Sequence, residues 1–294
     1  MKYFKTTAIA FLSVFATMIA QELPKASIIK AVKTKKISIY TVVAPPEMFT
    51  NTTHIIELPH ELIVVDGQFY APYAQQVKKL TDSLQKPVTR FYISHDHPDH
   101  YLGFGDAFPN VSVYALEETK GGIEKAGQQV LEQRQKQFGS IIAKSLNKPS
   151  HVQKTGKEVI DGVTFIFEKS LNNEDAVSLV IKIPEVKANI LQDIVYNKTH
   201  LFISGNTDDW RKAIKKEESQ KEYTLILPGH GKPTNRSIFQ TNLKYLDFVN
   251  KALSESKSKE EYKAKLLAEY PDYGGEHLID IYLAYYLKWD WAKK

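Results

Sequence analysis

The stretch Ile93 to His100, ISHDHPDH, sets three of the chain's nine histidines and two aspartates within six residues. Side chains of this kind crowd one another electrostatically and gain little from burial. A chain that keeps them together must fold around something that satisfies them, and a metal ion is the usual occupant. His95 and His97 lie two apart, directly after the apolar run RFYIS. In extended chain alternate side chains share a side, so both imidazoles can reach one ion. Pro98 then ends the strand, and Asp99 and His100 leave the turn in another direction. One ion does not easily take all four, but two neighbouring ions can share them. Polar side chains gathered at the C-terminal end of a strand are also where α/β folds place their chemistry.

The rest of the pattern fits such a strand. From Lys36 to Leu227 the sequence is dominated by short β-branched and aromatic runs: KISIYTVV, THIIEL, ELIVVD, VSVYA, VTFIFE, VSLVIKI, ILQDIV and YTLIL. Most are bounded by Gly, Pro, Asn or Asp, as strands are. Between them lie helical stretches, APYAQQVKKLTDSLQ and Ile123 to Leu146, with apolar residues at helical spacing. After His230 the character changes. Ile238 to Leu253 carries one apolar face, Ser258 to Tyr270 opens with a Ser258–Glu261 capping box and stops at Pro271, and Glu276 to Trp291 holds an aromatic stripe. The pattern predicts an α/β protein whose sheets are covered by helices on their outer faces. It places one catalytic domain over 21–235 and a helical C-terminal extension over 236–294, packed on that domain.

Composition narrows the functions. With 294 residues, 43% hydrophobic and 25% charged, the chain is neither disordered nor a coiled coil. Residues 1–20 have the layout of a signal peptide: Lys2 and Lys5, an uncharged apolar run from Thr6, and a cut near Ala20. That run is short of the ~20 apolar residues that span a bilayer. No later segment is long and apolar enough either, so the sequence predicts an exported protein, periplasmic or secreted, with no membrane span after cleavage. There is no cysteine, which removes disulfides and leaves nitrogen and oxygen as metal ligands. A net charge of +5, lowered further when the two leader lysines are removed, is too mild for a nucleic-acid partner. The expected partner is a small-molecule substrate; the oligomeric state stays open.

HDHPDH is the H-x-H-x-D-H pattern, and on it the chain resembles the metallo-β-lactamase-fold superfamily of hydrolases. ELIVVDGQF resembles the family's early strand ending in an aspartate, here Asp66. ANILQDIVYN looks like the strand whose end carries a bridging carboxylate, Asp193, and TLILPGHG like the strand presenting the last histidine, His230. The resemblance runs from about Ile37 to Pro233 and implies an αββα metallo-β-lactamase-like sandwich with metals at one edge of the sheets. One departure stands out. Where most members supply a third histidine from a G-H-T-x-G-S segment, this chain has LNNEDAVSLVIKIP, with Glu174 at that place. Alkylsulfatase-type members also carry a glutamate there.

The resemblance implies that His95, His97 and Glu174 hold one metal and Asp99, His100 and His230 a second, with Asp193 bridging. Asp175, His200 or a vacant position are the rivals of Glu174. Two divalent ions are implied, zinc by default, with manganese or iron open because oxygen ligands loosen the preference. Asp66 is expected to hydrogen-bond the histidine motif, and His200 to lie near the site. Tyr196, three residues after Asp193, is a candidate donor to a developing oxyanion. His54, His60, His151 and His277 have no partner pattern.

The implied activity is a dinuclear metal-dependent hydrolase. A metal-bound hydroxide attacks an ester, lactone or amide-type bond of a small, partly apolar molecule, with Asp99 orienting the nucleophile and passing a proton. The alternatives are a single-iron oxygenase or redox protein of the same fold, which typically drops second-metal ligands, and a non-catalytic metal-binding relative. The apolar face of the Ile123–Leu146 helix marks it as a candidate lid or pocket wall.

Overall fold

Residues 23–204 and 206–287 are described by a computed structural model. The signal peptide expected over 1–20 and the end of the aromatic stripe, Trp289 and Trp291, lie outside the described residues. Among those residues no helix is long and apolar enough to cross a membrane.

The first sheet takes the strands in chain order: β1 (Ser27–Lys33), β2 (Ser38–Val43), β3 (Thr52–Glu57), β4 (Leu62–Val65), β5 (Val88–Tyr92), β6 (Val113–Ala115) and β7 (His151–Val152). It is antiparallel from β1 to β4 and parallel from β4 to β7. The second contains β8 (Gly156–Ile160), β9 (Val163–Leu171), β10 (Val177–Ile183), β11 (Ala188–Tyr196), β12 (Leu225–His230) and β13 (Thr234–Asn235), again in chain order across the sheet. There only β11 and β12 run parallel. The helices are α1 (Ala71–Ser83), α2 (Pro98–Tyr101), α3 (Glu117–Phe138), α4 (Thr207–Ser219), α5 (Ser237–Glu255), α6 (Lys259–Glu269) and α7 (Glu276–Tyr285).

The layers follow from which way the strand residues point. In β9, Val163, Phe165 and Phe167 alternate into a core shared with Leu179 and Ile181 of β10 and with Ile63 and Val65 of β4. This is the seam between the sheets. Val64, on the opposite face of β4, packs with Val77 of α1 and Ile123 and Leu131 of α3. On the far side, Leu191, Ile194 and Val195 of β11 meet Trp210 of α4, Leu246 of α5, Tyr262 of α6 and Tyr282 of α7. Helices, two sheets and helices therefore stack in four layers, the predicted αββα sandwich. Strands buried on both faces read as continuous apolar runs, which is why ELIVVD and ILQDIV carry no alternation.

Two local differences have simple causes. The helix expected over 123–146 runs instead over Glu117–Phe138. Glu117 and Glu118 favour the start, where carboxylates meet the helix's positive end. Gly139 ends it at φ +65°, a conformation open to glycine at little cost. Strand β8, GKEVI, is a mostly exposed edge strand with charged residues, so its sequence lacked a strand signature. At the C-terminal end, Ser258 does cap α6, its hydroxyl accepting from the Glu261 N–H at 3.1 Å.

Candidate metal centre

The parallel pair β4–β5 of one sheet and the parallel pair β11–β12 of the other bring their C-terminal ends to one edge of the sandwich. Asp66 follows β4, His95 and His97 follow β5, Asp193 lies in β11, and His230 ends β12. An isolated bridge between Asn51 and His230 ties the two sheets there. Glu174 arrives on the turn between β9 and β10. His97 is the extended residue that precedes α2 (φ −74°, ψ 139°), with Pro98 in the helix's first turn. This break aims His95 and His97 one way and Asp99 and His100 another, as the proline predicts.

Two groups of ligand-type atoms result. His95, His97, Glu174 and Asp193 offer atoms within 4.8 Å of one another, and so do Asp99, His100, Asp193 and His230. In the first, His97 Nδ1 is 3.1 Å from Glu174 Oε1, and His95 Nε2 is 3.7 Å from Glu174 Oε2 and 3.8 Å from Asp193 Oδ2. In the second, His100 Nε2 is 3.3 Å from Asp193 Oδ1, and His230 Nε2 is 3.2 Å from Asp193 Oδ2 and 3.3 Å from Asp99 Oδ2. Donors on a tetrahedral ion at about 2.0–2.2 Å stand roughly 3.3–3.6 Å apart. The observed spacings surround that range.

The donor atoms also lack other employment. His95 Nε2, His100 Nε2, both Glu174 oxygens and Asp193 Oδ1 are buried without a hydrogen-bond partner. Buried polar atoms are rarely left so, and five around two small spaces are what cation sites require. The residues fit a pair of divalent cations.

Protonation tells the same story. Burial alone would strip protons from the imidazoles. Instead the Glu174 carboxylate holds His97 at about 10, and Asp193 holds His230 at about 10, each against its own desolvation. Asp193 likewise raises His100, whereas burial and the neighbouring His100 keep His95 well below the usual histidine range. Burial lifts Glu174 to about 7. A cluster that draws protons this strongly is one in which metal and proton compete for the same atoms.

The surroundings fix the rings. Asp66, fully buried at φ +62°, accepts from His100 Nδ1 at 2.8 Å, from the Ser94 hydroxyl at 2.7 Å and from the Ser94 N–H at 2.8 Å. The Ser94 hydroxyl, having donated to Asp66, accepts from His95 Nδ1 at 2.8 Å. One carboxylate thus orients two imidazoles and turns both Nε2 atoms to the centre. His230 does the same through its Nδ1, which donates to the Phe49 carbonyl at 2.6 Å. Gly229, preceding His230, lies against Asp193: a Cβ there would overlap Asp193 Oδ1.

Two expectations need correction, and a rival of Glu174 is set aside. The Tyr196 hydroxyl is not open to a substrate oxyanion, because it is buried and donates to Asp193 Oδ2 at 2.7 Å while its ring stacks on His230 at 4.5 Å. His200 is in neither group; its Nδ1 is 2.9 Å from the Tyr245 hydroxyl, in a pocket of tyrosines under the tail. Asp175 stays outside both groups, 4.0 Å from His97 Nε2. Conversely, nothing along the chain pointed to Gln192 and His54. The Gln192 amide donates to Asp66, and its Oε1 accepts from His54 Nε2 at 3.0 Å. His54 also bonds Thr41 at 2.9 Å, and burial lowers it to about 4, so it is neutral. No local motif marks this chain of bonds.

A cavity of about 410 Å³ opens over the first group. His97 and Glu174 lie at its floor, with Asn172, Asp175, Asp209 and Tyr286 in its walls. Helix α3 contributes nothing to this lining, and Ile123 and Leu131 are spent in the core. Among the described residues it packs on the sheet and lines no part of the cavity.

No family model matches the sequence, and no curated protein matches it. Solved structures do, and they show that the chain has the metallo-β-lactamase fold. A metallo-β-lactamase from Pontibacter korlensis superposes with a TM-score of 0.59 at 17% identity, covering 76% of this chain and 99% of its own. The metallo-β-lactamase IND-7 gives 0.61 at 19%, covering 77% and 100%. FIM-1 from Pseudomonas aeruginosa, in its mono-zinc form, gives 0.58 at 15%, covering 77% and 96%. The alkylsulfatase likeness at Glu174 rests on the sequence alone.

Proposed function

We propose that this protein is a metal-dependent hydrolase using a pair of divalent cations, zinc by default. His95, His97 and Glu174 would hold one, Asp99, His100 and His230 the other, and Asp193 would bridge them. The observation that carries this reading is the shared Asp193: one carboxylate belongs to both ligand groups, each otherwise complete. A single-iron protein has no need of the second group. When bound, such a pair lowers the pKa of a water molecule and polarises the oxygen of the bond under attack.

The chain's own residues would do the rest. Asp66 and Ser94 keep the His100 and His95 rings fixed, so the ligand geometry is preorganised. Asp99, 18% exposed, is the most open carboxylate of the ligand set and the one suited to pass a proton to a leaving group. Glu174 in place of a neutral imidazole adds a negative charge, which should tighten metal binding and temper Lewis acidity. The bond class we assign is ester, lactone or amide; the cleft's polar lining moves the substrate toward a polar molecule.

Elemental analysis of purified protein should find two transition-metal equivalents per chain. Hydrolysis of a panel of aryl esters, lactones, thioesters and β-lactams should vanish with a chelator and return with zinc, manganese or iron. Protein without stoichiometric metal, or turnover indifferent to chelation, would overturn the reading. One iron per chain with oxygen consumption would favour the oxygenase alternative.

A further inference from the structure

A set of polar side chains lies beneath the centre, at the seam between the sheets. Thr41 of β2, His54 of β3 and Gln192 of β11 are all fully buried there. Their hydrogen bonds can run in one direction only. The Asp66 carboxylate accepts, so Gln192 must turn its amide NH2 to Asp66 and its Oε1 to His54 Nε2, 3.0 Å away. His54 Nε2 therefore carries the ring proton. It also faces the Pro228 carbonyl at 3.1 Å, which likewise can only accept. Nδ1 is left to accept from the Thr41 hydroxyl at 2.9 Å.

These bonds join the elements that present the ligands. His54 ties β3 of the first sheet to β12 of the second through Pro228, on the strand that His230 ends. Gln192 immediately precedes Asp193, and it donates to the same Asp66 oxygen, Oδ2, that accepts from His100 Nδ1. Gln192 and Asp66 also share a left-handed backbone, at φ +47° and +62°, and β11 shifts register at Gln192. Non-glycine residues keep such a conformation only where their surroundings hold them in it, most often at functional sites. Here the side-chain bond between the two residues is part of that hold.

We propose that His54 and Gln192 are positioning residues for the second cation site, Asp99, His100, Asp193 and His230, and that the first site tolerates their loss. This rests on the two-cation reading above. His100, Asp193 and His230 all hang from the buried chain of bonds: through Asp66, through the backbone after Gln192, and through the backbone after Pro228. The first site depends on it less. Ser94, which holds His95, keeps its own N–H on Asp66 Oδ1 at 2.8 Å, and Glu174 arrives on a separate turn. Without the His54 N–H the Gln192 amide is free to turn over, and Asp66 Oδ2 then meets an oxygen instead of a donor.

The test titrates the metal-free full chain with cobalt(II), read by visible absorption and by competition with a chromophoric chelator. Wild type should take up two equivalents. Glu174→Ala isolates the second site and His230→Ala the first. In the Glu174→Ala background, Gln192→Met or His54→Leu should weaken the remaining equivalent by about 10- to 100-fold; in the His230→Ala background the change should stay within about threefold. His54→Gln, which keeps an N–H for the Gln192 oxygen, should recover part of the loss. His54→Leu with Gln192→Met should cost little more than the worse of the two, because both break one chain of bonds. A merely structural role would weaken both sites alike. Should the larger changes prevent folding, His54→Gln carries the same comparison, with a smaller loss confined to the second site. Equal losses at both sites, or none, with two equivalents in wild type overturn the proposal alone. Wild type that takes up fewer than two equivalents overturns the two-cation reading and the proposal with it.

Discussion

At the scale of single residues, Asp66 and Tyr196 act on the centre through others. Asp66 accepts from His100 directly and reaches His95 through Ser94. Asp66→Asn removes the charge that orients both rings, so metal affinity should fall by about 10- to 100-fold while the far-ultraviolet circular dichroism is kept. Competition with a chromophoric chelator measures this, and unchanged affinity would refute the role. Tyr196 donates to Asp193, the carboxylate common to both groups. Tyr196→Phe should weaken metal binding by a few-fold yet leave kcat close to wild type once metal is saturating. A large drop in kcat at full metal occupancy would restore the oxyanion role that the buried hydroxyl argues against. Both residues follow apolar strand runs in the sequence, but nothing there says which atoms they hold.

Among the elements, the strand ends are where fold and chemistry meet. The pairs β4–β5 and β11–β12 are parallel, so their C-terminal ends fall together and four segments distant in sequence converge. Gly229 on β12 is a requirement of that convergence, because Asp193 Oδ1 occupies the space of a Cβ. Gly229→Ala should therefore leave sheet content near wild type while displacing Asp193, seen as loss of bound metal. Retention of full metal would show that the strand yields more easily than its contacts imply. Removing a ring from the intersheet seam should act differently. Phe165→Ala should cost roughly 3–5 kcal/mol of stability by opening a cavity, and the centre should survive in whatever protein remains folded.

For the whole molecule, pH and location are the accessible tests. Burial lowers His54 to about 4, below its unfolded value of 6.5. Folded protein therefore binds fewer protons than unfolded protein between those values. The stability His54 contributes is intact above pH 6.5 and is lost as pH falls through 4. Whatever His54→Gln costs at neutral pH, the difference in melting temperature from wild type should shrink toward pH 4 in chelator-treated protein. A constant difference would mean that His54 does not titrate in that window. Export is tested by the mass of mature protein from the periplasmic or culture fraction, which should lack residues up to about Ala20. Full-length mass in the cytosol would contradict the leader.

What the sequence determined by itself was local and covalent in origin. HDHPDH set the ligand types and their two directions through a strand end and a proline. Strand composition set most of the strands, the resemblance to the metallo-β-lactamase pattern made Glu174 stand out as an acid where relatives use an imidazole, and the missing cysteine restricted ligands to nitrogen and oxygen. Only the tertiary structure decided which distant atoms are left without partners around a shared Asp193, that Tyr196 is committed to Asp193 and His200 to Tyr245, and that Tyr286 lines the cavity. Side-chain chemistry and periodicity are properties of neighbouring residues and can be read along a chain. Whether two side chains far apart in that chain share a proton, a wall or an ion depends on how the layers dock, which no local pattern records.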